Sequence, residues 1–242
     1  MAVAFHWSMV AYYAYADITY LKGMVHMNSQ GKDPDDHSIS RMFNGSLTYI
    51  TLWNVMVQQV YFMMCCRENL LSRVSDGEKK EWSRRARQVI LRSILFPTTF
   101  VVAIIYWTVY WRSPTLIFGD KLSELYPAWV DHTMHTFIVP IALLELYLST
   151  TRERVSAEDG GKLKGWLTFN AFITTYSAVV IFGRLIRGVW PYPFLDPVNN
   201  GNPILFFIFL YVVGGFWYYV GQHLTHKIWR NQYDGRKRKH QL

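Results

Sequence analysis

The chain has 242 residues, 51% of them hydrophobic and 17% aromatic, with a formal net charge of +8. That length suits one domain of ordinary size. The basic residues are not gathered on one recognisable module, so the charge is read as a topological bias and not as a nucleic-acid surface.

Charges bunch into loops, and long uncharged runs lie between them. Spans are expected near residues 3–21, 47–66, 94–111, 126–146, 165–185 and 203–222. Each is long enough to cross a bilayer core of about 30 Å as a helix. The expected fold is therefore all-α: an integral membrane bundle of six transmembrane helices, forming one domain over residues 1–242.

The first span carries His6 and Asp17, and no basic region precedes it, so a cleavable signal is not expected. A polar loop follows, with Asp33-Pro34-Asp35-Asp36 as a turn signal. The second span holds Thr48, Thr51 and Asn54, spaced to line one helix face. It closes on Cys65 and Cys66, the only cysteines. They read as buried thiols, with palmitoylation as the alternative. The second loop is basic, from Arg67 to Arg87. Pro97 interrupts the third span. The fourth carries Asp131, His132, His135 and Pro140. The carbonyl that loses its helical donor to Pro140 belongs to Thr136, next to His135. The fourth loop is basic again. Arg184 and Arg187 close the fifth span. Pro191, Pro193 and Pro197 exclude regular helix from the loop after it, whose aromatics suit a headgroup belt. A basic tail, residues 230–242, ends the chain. The positive-inside rule puts the even loops and both termini in the cytoplasm.

Ionisable groups inside an apolar run mark a functional site by default. With that topology the second and fourth spans both enter from the non-cytoplasmic side. Thr51 and His135 then lie at similar depths, about 8–14 Å below the outer surface. A hydroxyl and an imidazole at matched depth can act as nucleophile and base. Asp131, four residues before His135, either orients that ring or caps the helix entry; the capping role is preferred. His132 either supports the site or is structural. Arg184 and Arg187 either bind a substrate carboxylate or snorkel to the headgroups, the second being preferred. His132 and His135 lack a convincing third ligand, so no metal is expected.

Three segments carry a resemblance. They are Thr51 to Gln58, Pro127-Ala128-Trp129 through Thr136, and Trp190-Pro191-Tyr192-Pro193-Phe194-Leu195. Together they resemble the androgen-induced gene and androgen-dependent TFPI-regulating protein family, in order and over nearly the whole length. The resemblance implies a six-span membrane hydrolase of fatty acid esters of hydroxy fatty acids, with a threonine nucleophile and a histidine base. On the matching positions these are Thr51 and His135. Asn54 stands where some relatives have an acid.

The expectation is a cofactor-independent carboxylic ester hydrolase of the endoplasmic reticulum or plasma membrane. It acts on a lipid ester through Thr51 and His135. Asn54, Asp131, His132, Arg184 and Arg187 support the site or bind substrate. The rival is a non-enzymatic lipid-binding or transport protein using the same polar cavity, although no internal symmetry of a transporter stands out. A third reading is a scaffold whose polar residues glue helices together.

Overall fold

A computed structural model describes residues 2–29, 46–71, 77–113, 127–152, 160–196 and 201–239. The Asp33-Pro34-Asp35-Asp36 turn lies outside the described residues. Among them there is helix and no strand. In chain order the helices are α1 (Ala2–Ser29), α2 (Ile50–Leu71), α3 (Gly77–Ile90), α4 (Phe96–Arg112), α5 (Ala128–His135), α6 (Ile138–Arg152), α7 (Gly160–Arg187) and α8 (Pro203–Lys239). A 3-10 turn, Ser46–Thr48, precedes α2, and another, Pro193–Leu195, lies between α7 and α8.

Three helical stretches are long and apolar enough to cross a bilayer: Trp82–Arg112, Lys162–Arg187 and Pro203–Ile228. They correspond to the third, fifth and sixth expected spans. α1 and α2 have the length, at 28 and 22 residues, but polar side chains dilute them. Asp17 and Lys22 interrupt the first; Gln58, Gln59 and Arg67 interrupt the second. The fourth expected span is not one helix. It breaks at Thr136 and Phe137, and its apolar second half, Ile138–Ser149, is a shorter piece. α8 continues as far as Lys239, into the stretch expected to be the basic tail.

Core packing follows helical spacing. On α7 the buried hydrophobic residues are Phe169, Ile173, Tyr176 and Val180, at steps of four, three and four. On α8 they include Phe206, Leu210, Gly214, Tyr218 and Gly221. The two α8 glycines allow close approach: a Cβ on Gly214 would sit 2.6 Å from Phe169 Cζ, and one on Gly221 2.7 Å from Phe96 Cδ1. Elsewhere these helices leave large apolar groups uncovered, among them Phe182, Leu185, Ile204, Ile208 and Val212. A continuous apolar exterior of this kind marks a lipid-facing surface.

α1 lies along α2 through polar contacts as well as apolar ones. The Tyr13 hydroxyl donates to Gln58 Oε1, and the Gln59 amide donates to Asp17 Oδ2. Gln58 passes the contact on to Thr99 (3.4 Å). The Thr98 and Thr99 hydroxyls both reach Asn54 Oδ1, at 3.1 and 3.2 Å. This seam joins α1, α2 and α4 below the site.

Prolines explain both helix irregularities. Pro97 has no N–H to offer the carbonyl four residues back. Just before it the chain makes a π turn, Leu91–Leu95, with the Phe96 N–H bonded to Leu91 O. Pro140 likewise cannot serve Thr136 O, and the Val139 N–H takes that carbonyl instead, at 3.2 Å. The Thr136 and Phe137 amides both turn back to His132 O, at 2.8 Å each. The chain therefore bends one residue after His135.

Candidate active site

α2, α4 and α5 meet at the bend, and their side chains build the site. Thr51 stands in the first turn of α2, and its Oγ1 lies 3.3 Å from Nε2 of the buried His135. Depth and the family resemblance paired these two groups in the sequence; in the structure they are neighbours. The other ring nitrogen of His135, Nδ1, lies 3.0 Å from the Asp131 carbonyl oxygen and 3.1 Å from Asp131 Oδ1. Both neighbours are acceptors, so Nδ1 carries the proton. In that tautomer Nε2 presents its lone pair to Thr51. The N–H is aimed at the carbonyl, and Oδ1 itself makes no well-angled hydrogen bond.

Tyr106 of α4 holds this arrangement from the side. Its ring stacks on the His135 ring, with centroids 3.6 Å apart and planes 11° from parallel. Its hydroxyl donates to Asp131 Oδ2. One residue thus contacts both the imidazole and the acid beside it. Nothing in the sequence separates Tyr106 from the other aromatics of its span, since stacking depends on how α4 crosses α5.

The proline-rich loop closes the site from above. The buried Tyr192 hydroxyl accepts a hydrogen bond from the Ile50 N–H at 3.0 Å, satisfying one of the amides that a helix start leaves open. Burial pushes the Tyr192 hydroxyl up to about 12, partly offset by that amide. The expected headgroup belt is therefore corrected for two of its members: Tyr192 and Phe194 line a cavity. The apolar faces of Ile50, Leu52, Val102, Ile105 and Val109 form most of its wall, and Thr51, Tyr106 and His135 contribute its polar groups. The space open to the centres of water-sized groups is about 40 Å3. One such group needs about 10–15 Å3, so the cavity takes a few waters or the end of a slender chain.

The remaining expected site residues lie apart from this cavity. Thr48 belongs to the 3-10 turn and not to α2, so Thr48, Thr51 and Asn54 do not share one helix face. The Thr48 carbonyl accepts from Tyr176, and its hydroxyl from Arg187 at 3.3 Å. Asn54 is buried on the seam with Thr98 and Thr99, and its Nδ2 has no hydrogen-bond partner. His132 is exposed; its Nδ1 pairs with Thr136 Oγ1 at 3.0 Å, and its ring lies 5.8 Å from that of Trp107. His132 and His135 thus turn to different partners, Thr136 on one side and Thr51 and Asp131 on the other. Arg184 lies over the Trp190 ring at 5.8 Å, and Arg187 turns to Gly183 O and Thr48. Neither arginine lines the cavity.

Apolar helices with an uncovered apolar exterior, enclosing a small polar site, define an integral membrane protein of all-helical fold. The chain belongs to the family described as FAR-17a/AIG1-like protein, whose model matches residues 1–226. It is 28% identical to the androgen-dependent TFPI-regulating protein of Mus musculus, over 76% of this chain and 78% of that one. To the androgen-induced gene 1 protein of Homo sapiens it is 27% identical, over 78% and 80%. The androgen-dependent TFPI-regulating protein of Homo sapiens aligns over 97% of this chain and 96% of its own length, at 24% identity. No solved structure matches the chain.

Proposed function

We propose that this protein is a cofactor-independent membrane hydrolase of lipid esters, with Thr51 as nucleophile and His135 as general base. The observation that carries the reading is the 3.3 Å approach of Thr51 Oγ1 to His135 Nε2 in an apolar-walled cavity, with the opposite ring nitrogen against Asp131. A threonine hydroxyl is a weak nucleophile until a base takes its proton.

In the proposed reaction Oγ1 of Thr51 attacks the ester carbonyl as its proton passes to Nε2. The tetrahedral oxyanion collapses, and the imidazolium returns that proton to the departing alkoxide. An acyl-threonine remains. Water then attacks it, His135 takes the water proton, and the proton goes back to Oγ1 as the acid leaves. The imidazolium formed in each half is stabilised by the Asp131 carboxylate. The Thr51 main-chain N–H, at the start of α2, has no carbonyl earlier in the helix to bond. Aimed with the positive end of the helix dipole, it suits the role of oxyanion donor.

Fatty acid esters of hydroxy fatty acids are the proposed substrates, a choice that rests on the family resemblance. The apolar wall favours an acyl chain beside Thr51. Six membrane crossings with both termini cytoplasmic, and residence in the endoplasmic reticulum or plasma membrane, complete the proposal.

Membranes carrying the wild-type protein should label with a fluorophosphonate probe at Thr51 and release fatty acid from such an ester. Thr51→Ala should lose both. Unchanged hydrolysis by Thr51→Ala would overturn the reading. So would a wild-type protein that binds the lipid without cleaving it, which is the behaviour of a carrier.

A further inference from the structure

A second cluster of chemistry-bearing side chains lies toward the other end of α2. Cys65 is 14 residues beyond Thr51, about 21 Å of helix away. There His6 of α1, Cys65 of α2 and Glu145 of α6 face one another. One ligand atom from each lies within 4.8 Å of the other two. Their exposures are 4%, 2% and 1%, so none of the three looks out to solvent. The ester-hydrolysis reading uses none of them.

Each of the three is also held from behind. His6 turns Nε2 toward Glu145 Oε2 at 3.0 Å, while Nδ1 meets the Asn69 side-chain amide at 3.3 Å. Glu145 Oε1 accepts from the Tyr61 hydroxyl at 2.6 Å. Cys65 Sγ accepts from Arg87 Nη1 at 3.3 Å, and Arg87 is neutralised by Glu68 at 2.6 Å. One atom of each residue faces inward, and a partner fixes the residue from outside. Ligands of metal sites are oriented in this way, a histidine giving its second N–H to an acceptor and a carboxylate being hydrogen-bonded in turn. The Asn69 amide supplies that acceptor when its oxygen faces the ring.

The donor set selects the ion. One imidazole nitrogen, one sulfur and one carboxylate oxygen form a mixed set suited to a borderline divalent metal. Magnesium and calcium prefer oxygen alone. Charge points the same way. A carboxylate buried among apolar helices needs a counter-charge. A dication with one thiolate and one carboxylate gives a neutral unit.

We infer that His6, Cys65 and Glu145 form a zinc-class site that ties α1, α2 and α6 together, with a fourth position left for water. Binding moves the imidazole proton to Nδ1 and releases the thiol proton to solvent, while Nε2, Sγ and Oε2 become ligands. The site stands independently of the proposed esterase, and it departs from the cofactor-free expectation drawn from the sequence.

Elemental analysis of the full chain tests this, using protein purified in detergent through a tag free of histidine and cysteine. About one zinc per chain is expected, either as purified or after titration with zinc. Replacement by cobalt should give a sulfur-to-cobalt charge-transfer band in the near ultraviolet. That band should vanish in Cys65→Ser and persist in Cys66→Ser. Asn69→Ala should weaken binding about 10- to 100-fold. Wild-type protein that takes up less than about a tenth of an equivalent, even when titrated, overturns the site. So does a cobalt complex without sulfur character. Both readouts use the wild-type chain, so a variant that fails to fold does not blunt the test. Thr51 labelling by the fluorophosphonate reports the esterase separately.

Discussion

Asp131→Asn separates this site from the familiar serine triads in a measurable way. In those triads the buried acid is what fixes the histidine tautomer, and its replacement by asparagine costs about 10^4 in rate. Here the His135 Nδ1–H points at the Asp131 main-chain carbonyl at 3.0 Å, and the carboxylate lies alongside at 3.1 Å. The substitution leaves the carbonyl in place, so the ring keeps its tautomer. What is lost is one charged neighbour of the imidazolium. A hydrogen bond to a charged group is worth about 1.5–3 kcal/mol, about 10- to 150-fold in rate, and a carboxylate that lies alongside without a well-angled bond is worth no more than that. The carboxylate is 16% exposed, so water screens it in part and the low end of that range is expected. The assay is the initial rate of ester hydrolysis in membranes, normalised to protein, with kcat and KM resolved. The loss should fall on kcat. A drop as deep as that of His135→Ala would show that the carbonyl does not hold the tautomer. No drop at all would show that Asp131 does not support the imidazolium.

The neighbouring contacts make further claims. Tyr106→Phe keeps the ring stacked on His135 and removes only the hydroxyl to Asp131, so kcat should fall about 2- to 12-fold, the worth of one ordinary hydrogen bond; a loss as large as that of Thr51→Ala would contradict a purely positioning role. Ile105→Trp fills the cavity, so hydrolysis of long-chain esters should fall while labelling by a small fluorophosphonate persists. Equal loss of both would mean a damaged fold. Tyr192 gives a pH signature. Its folded value of about 12 exceeds the ordinary 10, so its contribution to stability is full below pH 10 and is lost as pH rises toward 12. The melting temperature should therefore fall more steeply over that window in wild-type protein than in Tyr192→Phe, and parallel curves would refute it.

The structure follows the sequence most closely where a physical constraint acts within one segment. The uncharged runs 94–111, 165–183 and 203–222 fall within the three long apolar helical stretches, because covering a backbone in lipid demands an apolar helix. Thr51 and His135 were paired in the sequence by depth and by resemblance together, and the structure sets the two groups 3.3 Å apart. Tyr106 was not legible, since its place over His135 depends on a crossing between helices that no spacing within α4 encodes. Asn54 misled for the opposite reason. Its i+3 spacing from Thr51 is real, but the thread of contacts through Thr98 and Thr99 decides where it is used. Glu145 was readable in principle as an acid within an apolar run, yet only the packing of α1 beside α6 brings His6 to it.

The two prolines connect these observations. A straight fourth helix would direct Thr136 and Phe137 along the same axis as His135. Instead, the lost Pro140 N–H frees Thr136 O for Val139, and the amides of Thr136 and Phe137 both fall back on His132 O. The last turn of α5 is closed on itself, and α6 leaves in a new direction. His135 is thereby the final residue of a helix whose first turn already holds Asp131, and a single helical turn carries both the base and its orienting groups. On the facing helix, the π turn before Pro97 shifts the register of everything after it, Tyr106 included. An inserted residue of this kind rotates the downstream helix relative to the upstream one. If that rotation is what sets Tyr106 over His135, Pro97→Ala should let the turn relax toward regular helix and weaken the stacking. Hydrolysis would then fall in kcat although residue 97 touches neither Thr51 nor His135. An unchanged kcat in a folded Pro97→Ala protein would show that α4 keeps its register without the proline.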